Sequence, residues 1–314
     1  MYATRSGLPV LCCAMLLAGT PCLAKTHNTW VSGTAMPIPA QAPAVAALKG
    51  NIYVVGGYNS SGNIGATQIY DVAADSWSAG PSLPTPAHGG VLAAVGNKLY
   101  FIGGYTASGV TGAVYVYNPK KNKWSAGKKA MPAARGDAAG AVDGNVIYVI
   151  GGSNATERLA TVESYDTKTG IWSEEANLLL SKSEPAAGAF GSTIVSADGY
   201  NTNSGDRGDT ESYSVSGNAW TALAADPLPR DEACYAAIGK NLYVAGGASN
   251  GASPLGTTEA FKPSTNTWTA QAGLPKPVTY AGGTAYNGHL YCFGGGSSNT
   301  FTGNFYNYVQ IFEP

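Results

Sequence analysis

Tyr53-Val54-Val55-Gly56-Gly57, followed by Tyr70-Asp71 and Trp77, is the stretch on which the reading of the whole chain turns. Its features recur. Tryptophans stand at Trp30, Trp77, Trp124, Trp172, Trp220 and Trp268, at intervals of 47, 47, 48, 48 and 48 residues, and the chain has no others. A small-residue pair reached through an apolar run keeps the same beat: Gly56-Gly57, Gly103-Gly104, Gly151-Gly152, Asp198-Gly199, Gly246-Gly247 and Gly294-Gly295. An aromatic precedes each later tryptophan by seven residues, at Tyr70, Tyr117, Tyr165, Tyr213 and Phe261. Three markers in phase define a repeat protein.

Each unit reads as four strands. In the third, Ala138 to Val142 is a small-residue strand, Asp143-Gly144 a turn suited to positive φ, and Val146 to Ile150 a β-branched strand ending at the glycine pair. After a variable loop, Ala160 to Tyr165 makes a third strand, and Ile171-Trp172-Ser173 opens a fourth beyond the turn at Thr167 to Gly170. One such sheet cannot bury both faces alone, so the units must stack around an axis. The expected fold is all-β: a six-bladed propeller of four-stranded antiparallel blades. Trp30 has no third strand before it, whereas Tyr308 to Phe312 is a third strand with no tryptophan after it. Pairing the strand of Val31 beside Gln310-Ile311-Phe312 completes the sixth blade and leaves no open edge in the ring.

These motifs resemble the kelch repeat, whose marks are a double glycine after an apolar strand, an aromatic-Asp or aromatic-x-Pro turn, and a tryptophan. Tyr117-Asn118-Pro119 with Trp124 and Phe261-Lys262-Pro263 with Trp268 carry the second form of the turn. The fourth repeat departs, with Asp198 in place of the first glycine and Ser214 after the aromatic. The resemblance implies that ligands meet the face carrying the loops between second and third strands and the approaches to the first strands.

Composition agrees with many short strands joined by tight turns. Charged residues are 12% of the chain, about half the usual share, beside 42 glycines and 19 tyrosines. Arg5, the apolar Leu8 to Ala18 and the small residues of Cys22-Leu23-Ala24 read as a signal peptide over 1–24, leaving one domain over 25–314 that is secreted or periplasmic. The apolar core is too short to span a bilayer, so no stable membrane insertion is expected. Neither Cys13 nor Cys22 sits in a convincing lipoprotein pattern. With Arg5 gone, 17 basic residues face 19 acidic ones, and no basic patch points to nucleic acid. Cys234 and Cys292 remain. Export permits a disulfide between them, but both lie in strand-like runs, and unpaired core thiols are expected. The chain is expected to be monomeric.

Counting back from the glycine pair aligns the six approaches to the first strands. Sixteen residues before it stand Ala40, Ala87, Arg135, Lys182, Arg230 and Val278; fourteen before it stand Ala42, Gly89, Asp137, Glu184, Glu232 and Tyr280. Blades three to five thus carry a cation and, two residues later, a carboxylate, and residues two apart on a strand share a face. The expectation is a charged half-ring at one mouth of the channel, either gripping a polar, carboxylated or polyhydroxylated ligand with guanidinium forks or bridging neighbouring blades. Tyr58, Tyr105 and Tyr200 follow the glycine pair by two and are candidates to stack on a sugar or peptide; His88 enters blade two at the same face. Glu163, Glu211 and Glu259, two before the repeat aromatic, are expected to satisfy buried backbone or turn groups, and Arg207 to be a solvated loop charge.

His27, His88 and His289 have no ligand spacing, so neither metal nor cofactor is expected. A galactose-oxidase-like copper site, known in one kelch relative, lacks its two-histidine, two-tyrosine set. There is no nucleophile elbow and no phosphate loop. Two functions stay open. One is a non-catalytic module binding a glycan, small sugar or peptide on the loop face. The other follows from similarity to exported six-bladed kelch mutarotases that act on sialic acid. There Arg135 or Arg230 would hold the sugar carboxylate, and Glu184 or Glu232 would move a proton at the anomeric centre.

Overall fold

The computed structural model describes residues 27–127, 129–251 and 254–314. The expected leader lies outside the described residues. Six four-stranded antiparallel sheets surround an axis, and no described residue is helical. Blade one comprises Ala44–Leu48, Asn51–Val55, Thr67–Asp71 and Ser76–Gly80 from the axis outward. Blade three, with Ala139–Asp143, Val146–Ile150, Val162–Asp166 and Ile171–Glu175, matches the sequence reading to within two residues at the start of each strand. In blade six, Thr279–Tyr286, His289–Gly296 and Val309–Glu313 are completed by Thr29–Ser32. Trp30 pairs with Phe312, Val31 with Ile311 and Ser32 with Gln310. The first and last described strands therefore share one sheet and close the ring.

The tryptophan period has a physical cause. Each indole packs on the repeat aromatic of its own blade, with ring centroids 4.9–5.2 Å apart in all six. Each indole N–H also donates to a backbone carbonyl of the preceding blade: Trp77 to Thr34, Trp124 to Pro81, Trp172 to Lys129, Trp220 to Ala176, Trp268 to Ala224 and Trp30 to Ala272, at 2.8–3.3 Å. One side chain thus fills the outer core of its blade and links it to the next.

The glycine pairs are required by close approach. The second residue of each pair donates its N–H to the next blade, Gly57 to Ala87, Gly104 to Arg135, Gly152 to Lys182, Gly199 to Arg230, Gly247 to Val278 and Gly295 to Ala40, all at 2.8–2.9 Å. A Cβ on Gly56 would lie 2.3 Å from the Ala87 carbonyl, and Gly56 has φ +67°. Asp198 adopts the same left-handed conformation, φ 61°, at the irregular fourth repeat.

One expectation is overturned. Cys234, on the inner strand of blade five, and Cys292, on the second strand of blade six, form a disulfide with Cα atoms 5.8 Å apart. Two strand-like runs in different repeats gave no sign that these side chains converge across the blade interface. Gly283 leaves the room, since a Cβ there would stand 2.8 Å from Cys234 Sγ.

Candidate functional site

At the loop-side mouth of the channel the residues fourteen before each glycine pair form a ring. All six have left-handed φ: Ala42 48°, Gly89 62°, Asp137 52°, Glu184 55°, Glu232 57° and Tyr280 54°. Backbone N–H groups pass hydrogen bonds from blade to blade, Gly89 to Ala42, Asp137 to Gly89, Glu184 to Asp137, Tyr280 to Glu232 and Ala42 to Tyr280, at 2.7–3.0 Å. The left-handed turn is unusual for non-glycine residues. Here it aims each N–H and carbonyl along the circumference, which leaves the side chains at the axis.

That conformation also corrects the charged half-ring. Alternation of faces holds for an extended strand, and a left-handed residue breaks it. Arg135, Lys182 and Arg230 turn away from the mouth into their own blades and are 0–1% exposed. Arg135 donates to Ala133 O, Gly151 O and Thr161 O, and pairs with Glu163 at 2.5 Å. Lys182 contacts Asp209 and Glu211, both at 3.1 Å. Arg230 pairs with Glu259 and approaches Asp226 at 3.6 Å. These pairs lie within a blade, so they are neither a ligand clamp nor a bridge between blades. Glu163 and Glu211 also accept from the N–H groups of Ala133 and Leu179, at 3.3 and 2.7 Å. In blades one and six, where Ala40 and Val278 replace the cation, neutral Gln68 and Gln310 make the same backbone bonds to Ile38 and Lys276. Arg207 pairs with Asp209 at 2.5 Å in its loop.

What remains at the mouth is acidic. Asp137, Glu184 and Glu232 line a narrow neck of about 90 Å³ together with Tyr280, Ala42 and Gly89. Above it a cavity of about 410 Å³ is bounded by Arg158, Glu184, Tyr200, Asp206, Asp231, Glu232, Asn250, Tyr280 and Asn299. Tyr280 Oη donates to Glu184 Oε1 at 3.2 Å and Ser183 Oγ to Glu184 Oε2 at 3.0 Å. Burial, then the charge of Asp231, lifts the Glu232 carboxyl to about 10. Burial, then Glu184, lifts Asp231 to about 9. Asp137 and Glu184 are raised by the same desolvation, because carboxyls sharing a dry site cannot all ionise. Tyr280 is pushed well above its ordinary value by burial and these neighbours.

Aromatic rings cover the opposite side. Phe301 stacks on Tyr280 with centroids 4.9 Å apart and meets His88 at 4.8 Å and Tyr58 at 4.9 Å. His88 stacks on Tyr105 at 5.2 Å; burial drops its pKa to about 4, so the ring is neutral at pH 7. Tyr105 bonds Ser153 across the blade boundary and lies against Gly136, which has no side chain to displace it. Tyr200 lies under the Arg158 guanidinium, 5.2 Å from its centroid. Asp137, Glu184, Glu232, Tyr280 and Tyr200 thus line the mouth, while Tyr58, Tyr105 and His88 build the aromatic wall beside it.

Sequence reasoning missed Asp231, Asp206, Arg158 and Phe301. Asp231 sits between the two aligned positions, where strand alternation would point it away from both, and the left-handed turn at Glu232 breaks that alternation. The others stand in loops of unequal length, where counting from the glycine pair has no register. Among the described residues no group of three or more His, Cys, Asp or Glu is arranged to hold a metal ion. A second cavity, about 430 Å³ in the other half of the channel, is lined mostly by alanines, glycines and valines with Tyr235 as its one titratable group.

Residues 23–198 match the KLHDC2/KLHL20/DRC7 Kelch-repeats domain, and residues 229–275 match the Kelch motif. The chain belongs to the kelch-repeat family. Among solved structures it is similar to one entitled "Structure of YjhT", with a TM-score of 0.77 and 18% identity over 88% of this chain and 95% of that one. This kelch likeness establishes the propeller fold. A search of curated proteins returned no match.

Proposed function

We propose that this kelch propeller is an exported binding module whose mouth takes a polyhydroxylated ligand, a glycan or small sugar. The observation that carries the reading is the cavity of about 410 Å³ in which acidic and amide side chains converge beside the half-buried Tyr200 and Tyr280. Its volume falls in the range of small-molecule sites, roughly 300–1,000 Å³. Protonated carboxyls at Asp231 and Glu232 donate hydrogen bonds, ionised ones accept them, and Asn250 and Asn299 do both. Such a mixture suits hydroxyl groups, and the faces of Tyr200 and Tyr280 suit the apolar face of a sugar ring. Calorimetric titration with a panel of neutral, acidic and amino oligosaccharides tests this. At least one should bind, and Tyr280→Phe with Glu184→Gln should weaken it about tenfold or more, one lost hydrogen bond or so, without lowering the melting temperature. Binding indifferent to both substitutions would remove the ligand from the mouth.

A second reading is mutarotation of an acidic sugar. Arg135 and Arg230 are buried inside their blades, so Arg158 is the cation left to meet a sugar carboxylate. Glu184 and Glu232, joined through the neighbourhood of Tyr280, offer a proton acceptor and a proton donor side by side. Faster α/β equilibration of a carboxylated sugar, slowed by Glu184→Gln, supports it; no acceleration leaves the binder.

A further inference from the structure

We infer that the preferred ligand carries a free amine: the mouth is built for an amino sugar whose ammonium sits among Glu184, Asp231 and Glu232. The inference rests on the reading of the mouth as a sugar site and names the kind of sugar. The cavity and its neck gather Asp137, Glu184, Asp206, Asp231 and Glu232 against the single cation Arg158. More telling is that two of these carboxyls are unfinished. Asp231 and Glu232 are each 6% exposed, and Asp231 Oδ1 and Glu232 Oε2 are buried without a hydrogen-bond partner while their side chains line the cavity. A buried acceptor left unmatched costs roughly 1–3 kcal/mol and more when charged. An ammonium brings three donors and no acceptor, which is the complement of that wall; a hydroxyl brings one donor, and a sugar carboxylate brings only further acceptors and repulsion.

Arg158 shows what the wall attracts. It already lies over the Tyr200 ring, and its charge is among the influences favouring ionisation of Asp137, Glu184 and Asp231. Tyr280 lines the same cavity while one of its faces is stacked on Phe301, so an ammonium held there has an aromatic ring beside the carboxyls. When an amine arrives, carboxyls that are protonated in the empty mouth ionise, so the attraction is realised only in the complex. The remaining groups facing the mouth, Tyr105, Tyr200, Tyr280 and neutral His88, carry no positive charge to oppose it.

The probes are a β-1,4-linked glucosamine tetramer and its fully N-acetylated counterpart, titrated calorimetrically into the full chain at pH 7. The free-amine tetramer should bind at least about tenfold more tightly, the increment of one well-placed charge pair. Asp231→Asn and Glu232→Gln should each erase most of that preference, weakening the free-amine tetramer at least about tenfold more than the N-acetylated one. Should one variant fail to fold, the other carries the comparison, with melting curves identifying which. Equal or tighter binding of the N-acetylated tetramer, still sensitive to Tyr280→Phe, would overturn the amine and spare the sugar site. Binding of neither tetramer, nor of any other oligosaccharide, would overturn both. A lysine-containing peptide that binds more tightly than the amino sugar would assign the ammonium pocket to a protein ligand and overturn the sugar.

Discussion

Replacing Arg135 by Met separates scaffold from site more directly than any other single change. Arg135 is 1% exposed, and its guanidinium satisfies three backbone carbonyls and the Glu163 carboxylate, itself 3% exposed. Met keeps much of the volume but removes every donor, so Glu163 is left as an uncompensated buried charge. Breaking one partner of a buried pair costs about 3–5 kcal/mol, and the Gly151 carbonyl, which loses its Arg135 donor, puts the expected loss near the upper end. The natural comparison is in the same molecule. Blades one and six pair a small apolar residue with glutamine, Ala40 with Gln68 and Val278 with Gln310, and keep the backbone bonds that Glu163 makes. Arg135→Met with Glu163→Gln therefore rebuilds that arrangement in blade three, and most of the loss should return. Urea unfolding followed by tryptophan fluorescence measures both, with a shifted midpoint at constant slope as the signature of a pure stability change. A single variant within about 1 kcal/mol of the parent would mean that Arg135 is solvated at the mouth after all. A double variant no better than the single would show that the unpaired charge is not the cause.

The disulfide and the acidic mouth give two more tests. Cys234 and Cys292 close a loop of 58 residues across the junction of blades five and six. The chain-entropy relation assigns such a loop about 4 kcal/mol, so Cys234→Ala with Cys292→Ala should unfold at markedly lower urea, and protein produced as residues 25–314, denatured and non-reduced, should show no free thiol. Two titratable thiols would refute the bridge. Asp231 and Glu232 have folded-state pKa values of about 9 and about 10, above the unfolded value of roughly 4. The folded chain then holds protons that the unfolded chain releases, so this stability is complete below about pH 4 and drains away as pH rises toward 9–10. Asp137, Glu184, Asp198 and Asp226 shift in the same direction. The lowered Asp75, Asp166 and Asp209 act oppositely, costing stability only as pH falls through the acid range. The melting temperature should fall between pH 5 and 9, and Glu232→Gln should flatten the fall; a flat parent profile would refute the buried, protonated mouth.

The period of the sequence determined the propeller because each marker does one geometric job in every blade. Tryptophan links neighbours, the glycine pair admits a foreign carbonyl, and the aromatic supports the indole; none depends on what the other blades carry. The same alignment placed Asp137, Glu184, Glu232 and Tyr280 at one height around the axis. It also held an unread clue to the ion pairs, since cations occur sixteen before the glycines only in the blades with glutamate two before the aromatic, and glutamine or tyrosine takes that place elsewhere. Which way those side chains point was settled by the left-handed turn at the ring. Strand alternation assumes extended backbone, and the hydrogen bonds that impose φ near +50° come from the next blade, about 48 residues away. The disulfide and the union of Arg158, Asp206 and Asp231 in one cavity are likewise products of ring closure. They join residues from different repeats through loops of unequal length, and only the closed circle of blades sets those distances.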